Sequence, residues 1–394
     1  MSFEIVKKDT KTRARAGILR TTHGAIKTPS YVMVATHANI KLLKPSDVKK
    51  TKTQAVIANT YHLWQKAKKH KRSGHLLHKL LGAKIPIMTD SGGFQIFSFG
   101  AAKKHGIGKI SKQKSTYREQ KEKRIKITEK GVYFYHNGKK QFMDPDLSIE
   151  LQERLGADII FAFDECTSPL HNFSYTKKSM ERTHKWALKC IETRTRKDQM
   201  LYGIVQGGYF KSLRIKSAKY IASLSFDGFG VGGAFNENQL GQSTRWIIDY
   251  LPEKKPRHLL GIGYVNDIFT AIENGIDTFD CVIPTREGRH GRIWTHTGSY
   301  DIRKSRYGNQ KTTLGKAILE PGCKCPVCKH PINRSQIYTL FKAKRPNAGR
   351  YASIHNMWFF NTLLEQIRNS ILRGKFLQFK TIYLRKFTEK RSLL

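Results

Sequence analysis

Two sets of side chains in this 394-residue sequence are of types and spacings that do chemistry. The first is Cys323-Lys324-Cys325-Pro326-Val327-Cys328, followed further on by His355. C-x-C-x-x-C lets one loop deliver three thiolates, and a helix can bring an imidazole as the fourth donor. Three sulfurs and one nitrogen complete a tetrahedral Zn²⁺ shell with no open position, which describes a structural ion and not a catalytic one. His330, only two residues past Cys328, would strain the loop, so His355 in the helical-looking stretch RYASIHNMWFFNTLL is the preferred fourth ligand. The grouping of the six cysteines argues for metal ligands and against a disulfide framework.

The second set is a series of polar residues that each end a short apolar run: Asp90, Asp164 with Glu165, Gln206, Gly232 with Gly233, and Asp280. A lone aspartate in such a place often does no more than cap the next helix. A whole set, each beside glycine or another small residue, points to a shared site.

Eight apolar runs have the length and composition of strands: 29–36, 55–60, 85–90, 158–165, 201–207, 228–233, 258–263 and 278–284. Between them lie stretches whose apolar residues recur at the helical period, such as SIELQERLGA before the fourth run and LRIKSAKYIASL before the sixth. Alternating strands and helices imply a parallel sheet. Eight such units suggest an α/β fold of the TIM (β/α)8 type, and no G-x-G-x-x-G opens the first unit as a doubly wound dinucleotide-binding sheet would require. In such a barrel the ends of the strands converge on one face, which brings the polar set together. The expected organisation is a catalytic barrel over residues 1–300, with a basic insertion near 100–127 on the Asp90 face, then a zinc-binding subdomain and C-terminal helices over 301–394 that pack on the barrel.

Seventy-two Lys and Arg against 30 Asp and Glu give a formal net charge of +42. Such an excess attracts polyanions, and it equally describes a lysine-rich solvated surface. The N-terminus lacks the apolar stretch of a signal peptide, and no run of about 18 apolar residues is present to span a membrane. The expectation is a cytoplasmic protein with no membrane partner.

Six blocks of sequence together resemble one family. TDSGGFQ (89–95), FDECTSP (163–169), GIVQGG (203–208), GVGGAF (230–235), FDCVIPTREGRHG (279–291) and the cysteine–histidine cluster are similar, in order, to those of bacterial-type tRNA-guanine transglycosylase, or queuine tRNA-ribosyltransferase. The resemblance runs from about residue 3 to 370 and implies a TIM barrel with a structural zinc, one per subunit. It implies exchange of guanine at the wobble position of tRNAs with G-U-N anticodons for a 7-deazaguanine (7-aminomethyl-7-deazaguanine or queuine). Guanine is then the released product, and the tRNA anticodon stem-loop and a second copy in a homodimer are the partners. By the same resemblance Asp280 is the nucleophile that bonds the ribose, Asp90 the general acid/base, and Asn59 a residue that orients Asp280. The base-binding set it implies is Asp90, Ser91, Gly92, Gly93, Phe94, Asp164, Gln206, Gly233 and Leu260. The RNA-binding set is Gly261, Ile262, Gly263, Tyr264, Val265, Asn266 and Asp267, with Thr285, Arg286, Glu287, Gly288 and Arg289.

The chemistry suits these residue types. As guanine leaves, C1′ becomes oxocarbenium-like, and a carboxylate beneath it can stabilise the charge and bond covalently, as in retaining glycosidases. The target nucleotide must flip out of its stack to expose C1′. The sequence also departs from the bacterial pattern: Phe94 stands for Tyr, Ala234-Phe235-Asn236 for Leu-Ala-Val, and Tyr264-Val265 for Thr-Pro, although Asp164-Glu165-Cys166-Thr167 is bacterial in character. Two other classes compete. A non-catalytic tRNA-binding subunit of a transglycosylase heterodimer is disfavoured by the retention of Asp90 and Asp280, and a zinc hydrolase by the closed metal shell.

Overall fold

Each of the eight expected runs forms a strand, and together they close into a parallel barrel. The computed structural model describes residues 1–70, 74–97, 125–136, 138–233, 239–330 and 332–389. An antiparallel sheet comes first, of β1 (Ser2–Lys8), β2 (Arg15–Thr21) and β3 (Gly24–Thr28). The barrel begins with β4 (Ser30–Val34), β5 (Ala55–Ala58) and β6 (Ile87–Thr89). A small antiparallel sheet follows, of β7 (Lys126–Ile127), β8 (Val132–His136) and β9 (Lys139–Met143). The barrel resumes with β10 (Ile159–Phe161), β11 (Met200–Val205), β12 (Gly228–Val231), β13 (Arg257–Leu259) and β14 (Thr278–Cys281). β14 pairs in parallel with β4, Asp280 opposite Val32, and closes the cylinder. A hairpin of β15 (Arg292–Thr295) and β16 (Gly298–Asp301) lies beyond it.

Strand residues alternate between two cores, as a period of two requires. Val32, Ile57, Met88, Ile159, Phe161, Tyr202 and Ile204 fill the barrel's interior. Their neighbours Met33, Val56, Ile160, Leu201, Val231, Leu259 and Phe279 face the surrounding helices. In GFGVGG, Gly228 and Gly230 fall on the inward positions of β12, and Gly232 continues that face just beyond it. A Cβ on Gly230 would lie 2.5 Å from Ile204 Cδ1, and one on Gly232 2.6 Å from Gln206 Nε2. Glycine there is what lets large residues of β11 cross the lumen.

The N-terminal sheet stops the lower end of the barrel, with Leu19 and Ile26 joining the interior core. At this end Asp277 forms a buried ion pair with Arg15 at 2.6 Å, their side chains 0% and 2% exposed. Asp277 also accepts from Arg257 N at 2.7 Å. Asp277→Ala would strand the Arg15 guanidinium without its charge partner. A loss of about 3–5 kcal/mol in urea unfolding is expected, and a loss under 1 kcal/mol would show that the pair carries little.

The 27-residue helix Pro346–Leu372 joins the barrel to the cysteine segment. Phe360, Leu364 and Ile367 pack into the barrel's outer core, while Ala352 and Ile354 face a second core with Ile293, Tyr307, Leu319 and Ile337. Helix Phe376–Glu389 packs on the barrel as its aromatic residues suggest: Tyr383 meets Phe269 at 5.4 Å, and Phe387 lies nearly parallel to Trp294 at 6.1 Å. Most of the expected basic insertion (100–124) and the departures at Ala234, Phe235 and Asn236 lie outside the described residues.

Candidate active site

At the upper end of the barrel a cleft of about 530 Å³ opens over the interior core, whose Val34, Ile57, Phe161 and Ile204 form its apolar floor. Asp90, Asp164, Gln206 and Asp280 all stand in its wall. Each follows its strand or sits at the strand's end, so barrel closure alone gathers residues that span 190 positions of sequence.

Asp90 is held by four donors. Its Oδ1 accepts from the backbone N–H of Thr60 at 3.0 Å and of Gly92 at 3.1 Å. Its Oδ2 accepts from Asn59 Nδ2 at 2.5 Å and Gln95 Nε2 at 3.4 Å. Burial nevertheless dominates and, with a smaller contribution from the Asp280 charge, pushes the Asp90 carboxyl up to about 7. A carboxyl group poised near neutrality can both give and take a proton at physiological pH. Asn59 thus serves Asp90 and not Asp280, a correction to the sequence expectation. It follows the last residue of β5, the strand beside β6, and its Oδ1 also caps the following helix by accepting from His62 N at 3.0 Å.

Asp280 is more open, its side chain 15% exposed. One oxygen, Oδ1, accepts from Gly261 N at 3.0 Å and lies 3.2 Å from His258 Nε2. His258 is an interior residue of β13 with no exposed surface, and sequence reasoning overlooked it. The signal was available, since His258 precedes Leu260 by two positions and therefore shares its inward face.

Asp164 forms a polar recess with Gln206 and Ser91. Gln206 Nε2 donates to Asp164 Oδ2 at 2.6 Å, and Ser91 Oγ to Oδ1 at 3.4 Å. Burial raises the Asp164 carboxyl to about 6, so it is mostly ionised at pH 7 and available as an acceptor. Cys166, also in the wall, is pushed up to about 12 by burial and by the neighbouring carboxylates, and the Gly233 backbone N–H faces its sulfur. This thiol stays protonated. Phe94, 56% exposed, and Leu260 offer flat apolar surface at the rim.

Of the remaining expected site residues, Ser91, Gly233, Gly261, Ile262, Gly263, Tyr264, Asp267 and Arg286 line the cleft. Gly92 and Gly93 lie behind it: Gly92 holds Asp90, and Gly93 packs so closely that a Cβ would meet Asp164 O at 2.9 Å. Val265 and Thr285 are buried, and Asn266 is exposed outside the cleft. Glu287 accepts from Trp294 Nε1 at 2.8 Å, and Gly288 abuts Ser353. Arg289 is half-buried, its guanidinium held below the usual range by burial and by Arg286.

Cys323, Cys325, Cys328 and His355 form a group that can hold a metal ion. Their sulfurs lie 3.8, 3.5 and 3.5 Å from His355 Nδ1. Tetrahedral donors at ordinary Zn–S and Zn–N lengths are about 3.6 Å apart, so the set fits. His355 Nε2 lies 2.8 Å from the Trp294 carbonyl, a contact that fixes Nδ1 as the ligand atom. His330 is exposed and outside the group. The adjacent turn of the same helix fastens the segment after Asp280: Asn356 Nδ2 donates to Pro284 O and Arg292 O, both at 3.0 Å, and Ser353 Oγ to Thr285 O at 3.2 Å. A second grouping, His23, His75 and His78, lies at the opposite end of the barrel. His23 and His78 stack there at 3.6 Å beside the buried Asp158, too close and too parallel for both rings to aim at one ion.

A family model for queuine tRNA-ribosyltransferase matches residues 9–389. A protein of Archaeoglobus fulgidus is 38% identical over 402 residues, covering 96% of this chain and 98% of its own length. The queuine tRNA-ribosyltransferase of Halothermothrix orenii is 36% identical over 400 residues with 100% of both chains covered. That of Clostridium acetobutylicum is 37% identical over 405 residues, covering 98% of this chain and 100% of its own.

Proposed function

The chain belongs to the queuine tRNA-ribosyltransferase family and is a pentosyltransferase, and from that premise we propose that its cleft exchanges guanine at the anticodon wobble position of G-U-N tRNAs for a 7-deazaguanine. The observation that carries this reading is the presence of two carboxyl groups in one cleft, a partly exposed Asp280 and a buried Asp90 raised to about 7. Asp280 attacks C1′ and forms a ribosyl ester. Asp90 gives a proton to the departing guanine and later takes one from the incoming base. Both bases dock at Asp164, whose ionised oxygens accept the N–H donors of the purine edge. The Gln206 amide, which donates to Asp164 and also meets the Cys166 sulfur, stands in the cleft wall facing the purine carbonyl. Arg286, on the cleft wall, meets the flanking nucleotides. Zn²⁺ is the ion for the cluster of three cysteines and one histidine, and its work is structural.

Incorporation of radiolabelled guanine into unmodified tRNA tests the reading, and well-folded protein that exchanges none would refute it. A non-catalytic subunit would have no use for an acid raised to neutrality beside a second carboxylate. The pH dependence gives a sharper check. Ester formation needs Asp164 ionised and Asp90 protonated. The single-turnover rate should therefore rise with pH through about 6 and fall as pH passes about 7. A rate that stays level from pH 5.5 to 8.5 would remove both groups from these roles.

A further inference from the structure

The Asp280 carboxylate is held asymmetrically. Its Oδ1 has two donors, Gly261 N at 3.0 Å and His258 Nε2 at 3.2 Å, while among the described residues no hydrogen bond reaches Oδ2. An ionised carboxylate only accepts, so a neutral His258 carries its proton on Nε2. Its Nδ1, 2.9 Å from Thr278 Oγ1, then accepts from that hydroxyl. Thr278 is itself fully buried, and Phe161 packs on the imidazole at 5.3 Å, so ring orientation and tautomer are both set by the barrel interior.

We propose that His258 is a positioning residue that divides the Asp280 oxygens between two tasks: Oδ2 attacks the ribose, and Oδ1, kept on His258 and Gly261, makes Asp280 a good leaving group in the second half-reaction. This rests on the transglycosylase reading above. In the first half, an Oδ2 lone pair bonds C1′ while the glycosidic bond breaks, and its electron pair leaves with guanine, which takes the Asp90 proton. In the ester Oδ1 is a neutral carbonyl oxygen. In the second half, the incoming base loses its proton to Asp90 and bonds C1′, while the C1′–Oδ2 bond breaks and its pair returns to the carboxylate. Hydrogen bonds to an ionised acceptor are roughly twice as strong as those to a neutral one. Donors on Oδ1 therefore favour the carboxylate over the ester and hasten ester breakdown.

The test compares the full-length protein with His258→Phe and His258→Gln. The ester is trapped on a denaturing gel with tRNA, then chased with excess guanine. The phenylalanine ring keeps the Phe161 contact but donates nothing, so the lifetime of its ester should lengthen about ten- to a hundredfold, the effect of one charge-assisted bond. Its KM for tRNA should stay within about threefold, as expected for a group that reaches the substrate only through Asp280. Glutamine places an amide N–H where Nε2 stood and should return the lifetime to within a few-fold of wild type. A wild-type lifetime in the phenylalanine variant would overturn the proposal, as would a glutamine variant equally slow. Failure of the wild-type protein itself to form an ester would instead refute the transglycosylase reading. The glutamine variant keeps the comparison decisive if the phenylalanine variant folds poorly.

Discussion

Asp280→Asn is expected to abolish the covalent ribosyl ester and to lower guanine exchange at least about 10⁴-fold, the order of loss when a covalent nucleophile is removed. The amide has the carboxylate's shape but neither its charge nor its nucleophilic oxygen, so it cannot stabilise an oxocarbenium-like C1′ or bond it. The protein itself should be untroubled. Asp280 is partly exposed, and its two donors, Gly261 N and His258 Nε2, can still meet an amide oxygen. Thermal unfolding should change by no more than a few degrees. The substitution also removes the Asp280 charge that helps raise Asp90, so the Asp90 carboxyl should titrate below its present value of about 7. Carbon-detected NMR of the aspartate carboxyls in both proteins would register that shift. An ester that persists in the asparagine variant would move the nucleophile elsewhere in the cleft.

The second large effect concerns the metal. Structural zinc contributes about 10–16 kcal/mol of apparent binding free energy in small zinc-finger peptides, where the folded state depends on it outright. Here the dependence should be confined. The long helix keeps its barrel-facing contacts through Phe360, Leu364 and Ile367, whereas the core around Tyr307, Leu319 and Ile337 leans on the cysteine loop. Chelation, or Cys325→Ala, is therefore expected to open the segment from about residue 305 to 345 to proteases while the barrel stays folded. The consequences reach the cleft, because the helical turn next to His355 holds the segment of Pro284, Thr285 and Arg292. The KM for tRNA should rise about tenfold or more. The carboxyl chemistry proposed above calls for no metal-bound water and should lose less in kcat. Limited proteolysis beside steady-state kinetics on the metal-free protein measures both. Full activity in a protein shown to be metal-free would detach the cluster from the site.

Much of the barrel could be read directly from the chain. A strand's alternation and a helix's period are local properties, and all eight apolar runs became barrel strands, with β11 and β13 each starting one residue before the run. The C-x-C-x-x-C loop was likewise legible, since three ligands within six residues can converge without help from the rest of the fold. The N-terminal sheet β1–β3 was not anticipated. β1 is mostly exposed and carries three charged residues in seven, and the burial of Leu19 and Ile26 comes from stopping the barrel's lower end, which exists only once the barrel has closed.

What a residue touches across strands was another matter. Asn59 could be placed at a strand end, but its choice of Asp90 over Asp280 follows from β5 lying beside β6. His258 had no motif to announce it, and became a partner of Asp280 because β13 and β14 are neighbours with both residues pointing inward. The same holds for charge. Asp90 and Asp164 are chemically alike as letters and both are deeply buried, and the hydrogen-bond donors and charges around each separate an acid near 7 from one near 6. The strands, the metal loop and the place of each carboxylate at the end of its own strand were written in the local sequence, because each of these depends on near neighbours. Tertiary structure alone decided how those carboxylates are paired and tuned, because hydrogen-bond partners and desolvation are set by groups that meet only when the barrel closes.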